Sequence, residues 1–278
     1  MITQIYKNTL IVLMLLLGLN VYSQNDNFKS RSSIGLTIGG SYYIGDLNRF
    51  GHFKRTNLSA GIIYKYHINS RLEIRGGLRY GKVEGYDSDA KDEVQRARNL
   101  SFQSNIFELG VGIEFNYLDY KIGNSKYFWT PYLFVEIAGF HMNPKAHYNG
   151  ELVALQPIGT EGQGSSLSSR KPYSLIQMAF PIGIGVKFNI GKWMSASVEY
   201  GIRFLFTDYL DDVGKGEFIN REELSVHNGP ISANLADRSL PDYTMSGTRG
   251  NIKTRDWYSM FGVTLSFSLG KQDNCFYQ

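Results

Sequence analysis

Residues 175–190 read LIQMAFPIGIGVKFNI, and this stretch decides the fold. Every even-numbered position from Ile176 to Ile190 carries a large apolar side chain, whereas the odd positions are mostly polar or small. Such period-two alternation is typical of a β-strand with two unlike faces. The stretch is longer than the ~5–6 residues usual in soluble sheets. It is long enough for a membrane-spanning strand, which needs ~9–11 residues.

Seven other segments of the chain show the same alternation. They comprise residues 34–44, 57–68, 72–82, 103–117, 132–140, 193–208 and 257–269. The chain is also rich in Tyr, Phe and Gly, a mixture that fits strands with aromatic girdles and glycine-relieved bends. The sequence therefore predicts an all-β fold: an eight-stranded antiparallel transmembrane β-barrel with long external loops, covering residues 34–269.

A soluble β-sandwich or lipocalin-like barrel is the alternative, because its strands alternate in the same way. Its apolar face would lie inside and its polar face in water. The minor face of the eight segments is rich in glycine, which suits a crowded lumen better than a solvated surface. Because the strands are also long, we expect the apolar face to contact lipid and the protein to reside in the outer membrane.

The inward faces of the predicted strands carry charges of both signs. These predicted lumen residues are Glu73, Arg75, Arg79, Glu108, Glu114, Glu136, Lys187, Glu199 and Arg203. Eight strands enclose a space just wide enough for side chains to fill, and buried charges need partners. We therefore predict an ion-pair network that plugs the lumen, which would exclude a general diffusion porin. The sequence leaves open which residues pair.

Short and long connections alternate along the chain. The shorter ones are residues 68–72, 118–131 and 189–193, and the long ones are residues 45–56, 83–100, 141–173 and 209–255. This asymmetry is typical of outer-membrane barrels, which have short periplasmic turns and longer external loops. It predicts that both ends of the barrel lie in the periplasm. The mixed composition of the long loops favours structured segments that cap the barrel or contact a partner.

The two ends of the chain have separate predicted roles. Residues 1–23 resemble a secretory signal peptide, because Lys7 precedes an apolar run of about ten residues, too short to span a bilayer. Residues 24–33 would form a periplasmic lead-in, and residues 270–278 a periplasmic tail. The tail contains Cys275, the single cysteine, as a free thiol or an intermolecular bridge.

No catalytic pattern stands out. The five histidines form no metal-ligand or Ser/His motif, so we expect neither an enzyme nor a cofactor. The mild net charge of +4, without basic blocks, argues against nucleic-acid binding. A lipid-modifying or proteolytic enzyme would need a nucleophile or an acidic pair near the outer rim, where Asp208, Asp211 and Asp212 lie. We interpret these three as a solvated loop start or a cation-binding bend.

Several short motifs, most of them in the predicted loops, follow one another along the chain. They are SYYIGDLN at 41–48, RNLSF at 98–102, NPKA at 143–146, LQPIGTEGQG at 155–164, FTDYLDDV at 206–213, LADRS at 235–239, RGN at 249–251 and DWY at 256–258. Together they resemble the Bacteroidota outer-membrane β-barrel family, a domain of unknown function, that includes PorG of the type IX secretion system. The resemblance selects as family-motif residues Gly45, Asp46, Gly159, Glu161, Gly162, Asp208, Asp211, Asp212, Asp237 and Arg238.

The resemblance implies a non-enzymatic function. PorG-type barrels anchor the periplasmic ring of the secretion machine, a lipoprotein complex, to the outer membrane. The periplasmic turns and residues 24–33 would then provide the contacts. The alternative is a stand-alone barrel, either a narrow channel or a surface ligand-binding protein, with no secretion role. Outer-membrane lipid is an expected partner of the docking barrel and of the stand-alone barrel.

Overall fold

The computed structural model describes residues 32–49, 51–240, 247, 249–251 and 255–269. The predicted signal peptide, most of the predicted lead-in and the predicted tail with Cys275 lie outside the described residues. Ser32 and Ser33, which we assigned to the lead-in, already belong to the first strand.

Eight long strands form the wall. They are β1 (Ser32–Ile44), β2 (Asn57–His67), β3 (Leu72–Tyr86), β4 (Ser101–Asn116), β5 (Trp129–His141), β8 (Ile176–Asn189), β9 (Met194–Leu205) and β10 (Trp257–Ser268). A short hairpin, β6 (Lys145–Tyr148) and β7 (Glu151–Ala154), follows β5. Within the described part of the loops, there are three helices: α1 (Glu93–Arg98), α2 (Arg221–Asn228) and α3 (Pro230–Ala236). Two 3₁₀ turns cover Asp87–Asp89 and Gln156–Ile158.

The wall is a closed antiparallel barrel, as the sequence predicted. The strands follow the order β3-β2-β1-β10-β9-β8-β5-β4, and β3 also pairs with β4 to close the sheet. The first and last strands pair along their full length, from Ser33 opposite Ser268 to Ile44 opposite Trp257. Closure leaves the wall without a free edge, which is the requirement for a sheet that crosses a membrane.

The distribution of side chains across the wall is the reverse of that in a soluble barrel. Glu108 and Leu109 are neighbours on β4, yet Glu108 is 1% exposed and Leu109 is 63% exposed. The same alternation holds on β3, where Arg75 is fully buried and Leu78 is exposed. Charged side chains therefore fill the interior and apolar ones cover the outside, so the wall faces lipid.

The two ends of the barrel differ in their connections. The short-turn end carries the β2–β3, β4–β5 and β8–β9 connections, and the long-loop end carries the other four. The second long loop is shorter than we predicted, because β3 continues past Lys82 and pairs with β4 as far as Tyr86 opposite Ser101. The β6–β7 hairpin extends the wall above the long-loop end, where Lys145 pairs with Gln103 of β4.

An apolar core lies at the long-loop end, where loops cover the mouth of the barrel. It combines wall residues such as Phe102, Phe140 and Tyr258 with loop residues such as Leu155 and Leu210. A smaller cluster joins α2 and α3 through Leu224, Ala233 and Ala236. Burial of these side chains holds the loops on the barrel. Within the residues the structure describes, no helix is both long and apolar enough to cross a bilayer.

Candidate functional site

Two polar structures fill the interior of the molecule. We call the charged residues inside the barrel the lumen network: Lys65, Glu73, Arg75, Arg79, Glu108, Glu114, Glu136, Lys187, Glu199 and Arg203. We call the polar residues that the loops bury above the barrel the cap: Tyr43, Asp46, Asp87, Arg98, Thr160, Glu161, Tyr173, Asp211, Asp212, Arg249 and Asp256.

The lumen network begins at the short-turn end around Lys187. Its Nζ lies 2.6 Å from Glu73 Oε1 and 2.7 Å from Glu114 Oε1. Lys65 also binds Glu114, at 2.7 Å. Asn116 donates to Glu73 at 3.1 Å. Each carboxylate here thus contacts at least one cation, as buried charges require.

Arg75 is the centre of the network. Its guanidinium contacts Glu114 at 2.9 Å, Glu136 at 2.6 Å and Glu199 at 2.8 Å. The group also lies 4.0 Å from the ring centroid of Phe134, in cation–π geometry. Arg75 has no exposed surface, and its three glutamate partners stand on β4, β5 and β9, so its guanidinium joins four strands inside the lumen.

The network continues toward the long-loop end through two further arginines. Arg79 binds Glu136 at 2.7 Å and Glu108 at 2.8 Å. Arg203 binds the other oxygen of Glu108 at 3.2 Å, and the Tyr258 hydroxyl donates to that same oxygen at 2.6 Å. All nine residues predicted for the lumen therefore lie in one connected chain of charges.

Two members of this region were missing from the sequence prediction. Lys65 is 4% exposed and lies on the inward face of β2, and His67 lies on the same face with Nδ1 3.1 Å from Glu73 Oε1. The signal was available in the sequence, because Lys65 and His67 alternate with the outward Tyr64 and Tyr66. With Lys65, the network has five carboxylates and five cations of Lys and Arg.

The cap is joined to the barrel rim by Asp87 and Arg98. Asp87 accepts hydrogen bonds from Nε and Nη2 of Arg98, both at 2.7 Å, and from the Leu100 amide at 2.9 Å. Arg98 ends α1, and its Nη1 donates to the carbonyl oxygen of Arg249 at 2.5 Å. One fork-shaped side chain therefore connects the second and fourth long loops.

Three buried aspartates meet beside β1. The Tyr43 hydroxyl lies 2.5 Å from Asp211 Oδ2 and 2.9 Å from Asp256 Oδ1. Asp46 accepts from the Asn251 amide at 2.9 Å, and its other oxygen has no hydrogen-bond partner among the described residues. Gly45 is required here, because a Cβ at its position would lie 2.0 Å from Asp256 Oδ1.

A second group of cap residues surrounds Asp212. Asp212 accepts from the Thr160 hydroxyl at 2.5 Å and from the Tyr173 hydroxyl at 2.7 Å. Arg249 donates to Thr160 at 2.9 Å and contacts Glu161 at 3.4 Å. The third and fourth long loops are thereby joined across the mouth of the barrel.

Burial controls the protonation of the cap. Burial raises the pKa of Asp212 to about 6, although Arg249 opposes the shift. Burial and the neighbouring charges of Asp256 and Asp46 raise the pKa of Asp211 well above its usual value. The pKa of Asp256 is raised in the same way, by burial and by the charges of Asp46 and Asp208. Each of these carboxyl groups therefore holds its proton more tightly in the closed cap than it would in a solvated, open loop.

Our interpretation of Asp208, Asp211 and Asp212 as a solvated loop start is wrong for two of the three. Asp211 and Asp212 are 2% and 1% exposed, because other loops cover them. Asp208 is half-buried and has no hydrogen-bond partner among the described residues. Within the described ranges, no group of three or more His, Cys, Asp or Glu side chains is arranged to hold a metal ion.

The other family-motif residues have separate positions. Gly159 and Gly162 have φ values of +61° and +70°, which favour glycine, and they shape the tight loop that carries Glu161. Arg238 lies at the edge of the cap and donates to Ser101, while Asp237 accepts from the Ser239 amide at 3.0 Å. Burial lowers the pKa of Arg238 to about 10. These residues shape loops and are not brought together as a reactive group.

The lumen network and the cap both help to close the barrel. Charged side chains fill the barrel from Glu73 at the short-turn end to Arg203, and the cap covers the long-loop end. Buried paired charges and ordered loops make a rigid, filled cylinder. The described lumen charges are almost all buried, so side chains occupy most of the space inside the barrel.

Comparison of the sequence with family models gives one match. A model described as "Domain of unknown function (DUF6089)" matches residues 7–228. No curated relative matches the sequence.

Solved structures similar to the chain are outer-membrane β-barrel proteins. Neisserial surface protein A is 10% identical, with a TM-score of 0.42, over 86% of this chain and 97% of that protein. The outer membrane protein OprG of Pseudomonas aeruginosa is 9% identical, with a TM-score of 0.42 and the same coverages. Ail, the attachment invasion locus protein of Yersinia pestis, is 10% identical, with a TM-score of 0.40, over 86% of this chain and 99% of that protein.

Proposed function

This chain belongs to the family described as "Domain of unknown function (DUF6089)", and from that premise we propose that it is a sealed outer-membrane anchor. In this proposal it docks the periplasmic ring of a type IX secretion system, as PorG does. The filled lumen is the observation that carries the proposal, because a barrel without an aqueous path acts through its surfaces. The loop motifs shared with the PorG-containing family support the choice of partner.

The inverted wall and the unequal ends support the orientation. An apolar exterior around a charged interior requires a lipid surrounding. Short turns face the periplasm in outer-membrane barrels and longer loops face outward. We therefore assign the short-turn end to the periplasm and the cap to the cell exterior. On this assignment the ring would contact the short-turn end.

The short-turn end has the rigidity that a docking platform needs. Arg71 of the β2–β3 turn binds Asp119 of the β4–β5 connection at 2.9 Å, and Ser70 donates to the same carboxylate at 2.8 Å. The Tyr120 hydroxyl donates to Asn189 at 2.7 Å, beside the β8–β9 turn. All three connections are thus linked, and a rigid surface loses little conformational entropy on binding.

Affinity purification with an external tag tests the proposal. The tip of the β6–β7 hairpin accepts a tag, because Asn149 and Gly150 are exposed and a side chain at Gly150 would meet no atom within 4 Å. Native membranes are solubilised gently, and co-purifying proteins are identified by mass spectrometry. We expect periplasmic ring components in stoichiometric amounts. A barrel recovered alone would reject the docking role.

Charge reversals at the two ends provide the matched comparison. Lys126→Glu changes an exposed residue of the β4–β5 connection, and Glu151→Lys changes an exposed residue at the opposite end. We expect Lys126→Glu to lower ring recovery at least tenfold and Glu151→Lys to leave it unchanged. Equal recovery of ring components with both variants would argue against a contact at the short-turn end.

A stand-alone surface protein is the second candidate, and the cap is the observation that favours it. The loops at the long-loop end hold three helices and a hairpin, far more ordered structure than docking at the other end needs. If the purified barrel carries no ring component, binding of an external ligand by the cap becomes the leading proposal. Recordings in planar bilayers test whether the stand-alone barrel is a narrow channel, because a channel would give steady conductance.

A further inference from the structure

The β6–β7 hairpin gives the sheet a free edge at the long-loop end. Among the strands that the structure describes, β7 pairs with β6 alone, whereas every other strand has a partner on both sides. Because the hairpin stands above the wall, this edge does not interrupt the closed barrel below it. A free edge presents backbone N–H and C=O groups with which another chain can pair.

The register of the hairpin identifies the backbone groups on the free edge. Glu151 directly follows the two-residue turn, so it exchanges both of its backbone hydrogen bonds with its partner on β6. Bonded and non-bonded pairs alternate in such a ladder, and the Leu155 amide accordingly donates to the Pro144 carbonyl oxygen at 2.9 Å. Leu152 and Ala154 therefore direct their N–H and C=O groups away from β6. No described residue hydrogen-bonds to these four groups.

The surrounding structure holds this edge in place. Asn149 and Gly150 have φ values of +51° and +87°, the two left-handed conformations that a tight hairpin turn requires. Tyr148 and Val153 pack against the apolar core at the long-loop end. Asn234 of α3 donates to the Tyr148 hydroxyl at 2.9 Å. A strand that is ordered before binding loses little conformational entropy when a second strand pairs with it.

The side chains of β7 leave the edge open to pairing. Proteins usually protect a free edge with proline, lysine, an inward-pointing charge or a covering segment. β7 contains neither proline nor lysine, and Leu152 in its middle is 45% exposed. Its one charged residue, Glu151, is exposed. Cross-strand neighbours interact through their side chains, so an apolar residue would complement Leu152 and a basic residue would complement Glu151.

The tilt of the hairpin excludes a second copy of this chain in the same membrane as the occupant. β6 continues the line of β5, because Lys145 opposite Gln103 keeps the register in which β5 pairs with β4. The hairpin therefore shares the tilt of the wall strands, ~35–45° from the barrel axis. Two barrels in one membrane have parallel axes, so their β7 strands diverge by at most ~90° and cannot run antiparallel. A parallel pair would require translation alone, which would bring the free edge of one copy against the edge that β6 occupies on the other.

We propose that the free edge of β7 binds an extended peptide segment of another protein, which adds a strand to the sheet. The peptide pairs with the four backbone groups of Leu152 and Ala154. It places an apolar side chain beside Leu152 and a basic side chain beside Glu151. Backbone pairing supplies the affinity, and the side chains supply the selectivity. The site lies at the end of the barrel opposite to the proposed ring contact, so it does not depend on ring docking.

Random decapeptides displayed on phage test the proposal, with the full-length protein in lipid nanodiscs as the target. Leu152→Pro is the decisive variant, because it removes an amide that faces the free edge, and an edge strand accepts proline at such a position. Leu152→Ala is the matched control, because it shortens the same side chain and keeps the amide. Fluorescence anisotropy measures the affinity of the selected peptides. We expect Leu152→Pro to weaken binding at least tenfold and Leu152→Ala to weaken it no more than threefold.

Methylation of the peptide amides separates backbone pairing from side-chain docking and needs no change to the protein. Only every second amide of an added strand faces β7. We therefore expect N-methylation of one alternate set to abolish binding and N-methylation of the other set to leave it within threefold. Equal losses with both sets would overturn the proposal. A selection that yields no peptide, or only peptides that bind Leu152→Pro as tightly as the wild-type protein, would also overturn it.

Discussion

The hydroxyl of Tyr43, on the first strand, donates a 2.5 Å hydrogen bond to Asp211 in the last long loop, 168 positions along the chain. The same hydroxyl lies 2.9 Å from Asp256, just before the last strand. One phenol therefore holds the loop between β9 and β10 at both of its ends. Each carboxyl group accepts one further hydrogen bond, Asp211 from the Val213 amide and Asp256 from the Leu210 amide, and the Tyr43 hydroxyl is the side-chain donor that they share.

Replacement of Tyr43 by Phe removes the donor and leaves the apolar ring in place. A buried acceptor without a partner costs ~1–3 kcal/mol, so we expect the last loop to open more easily by about that amount. Hydrogen exchange of residues 206–216 measures the opening. Tyr64→Phe, on the lipid-facing wall, is the control. Unchanged protection in Tyr43→Phe would mean that the loop is held by its apolar contacts alone.

The orientation of the wall side chains was predictable from the sequence, because it depends only on neighbouring positions along one strand. Alternation along one strand determines which way each side chain points, so Glu136 and Arg203 could be placed inside without knowledge of their neighbours. Lys65 was missed although the same rule applies to it. The pairing of Arg75 with three glutamates from other strands could not be predicted, because it depends on the register of five strands.

The cap was not predictable in the same way. Asp211 and Asp212 follow a strand, and in sequence they resemble the start of a solvated loop. Their contacts come from distant parts of the chain, Tyr43 of the first strand and Thr160 and Tyr173 of the third long loop. Contacts between segments so far apart leave no periodic trace in the sequence. The sequence placed both residues in one motif at 206–213, but only the structure shows their partners.

Arg75 is expected to be the most sensitive position of the lumen. Arg75→Met leaves Glu114, Glu136 and Glu199 with fewer cations in a buried site, and breaking such a network costs ~3–5 kcal/mol. The free energy of unfolding, measured by guanidinium titration in lipid vesicles, checks this value. Arg71→Met is the matched control, because Arg71 and Asp119 are exposed and such pairs contribute ~0–1 kcal/mol. Equal losses would show that the lumen charges do not act as a buried network.

An exposed leucine distinguishes a lipid-facing wall from a soluble surface. Leu109 lies in the middle of β4, and Leu109→Arg places a charge against the bilayer interior. The expected loss of stability is ~2–4 kcal/mol in lipid vesicles. Leu152→Arg, on the exposed β7 strand of the hairpin, is expected to change stability by no more than ~0.5 kcal/mol. Similar small effects of both substitutions would contradict the membrane assignment of the wall.

The stability of the cap is expected to fall as the pH rises. The pKa of Asp212 is about 6 in the closed cap, mainly because the carboxyl group is buried, against 3.8 for an ordinary aspartate. The closed form therefore binds a proton more tightly than the open form. Its stabilising contribution is complete below pH ~4 and is lost as the pH rises through about 6.

Between pH 5 and pH 7 the loss from Asp212 is roughly 1 kcal/mol. Hydrogen exchange of residues 209–216, corrected for the intrinsic pH dependence of exchange, measures it as a lower opening free energy at pH 7. Asp212→Asn has no proton to lose and should reduce the dependence. Asp119→Asn, at the opposite end of the barrel, should not change it. If Asp212→Asn retained the full pH dependence, the titrating group would be another cap residue, with Asp208 the first to test because burial raises its pKa to about 6 as well.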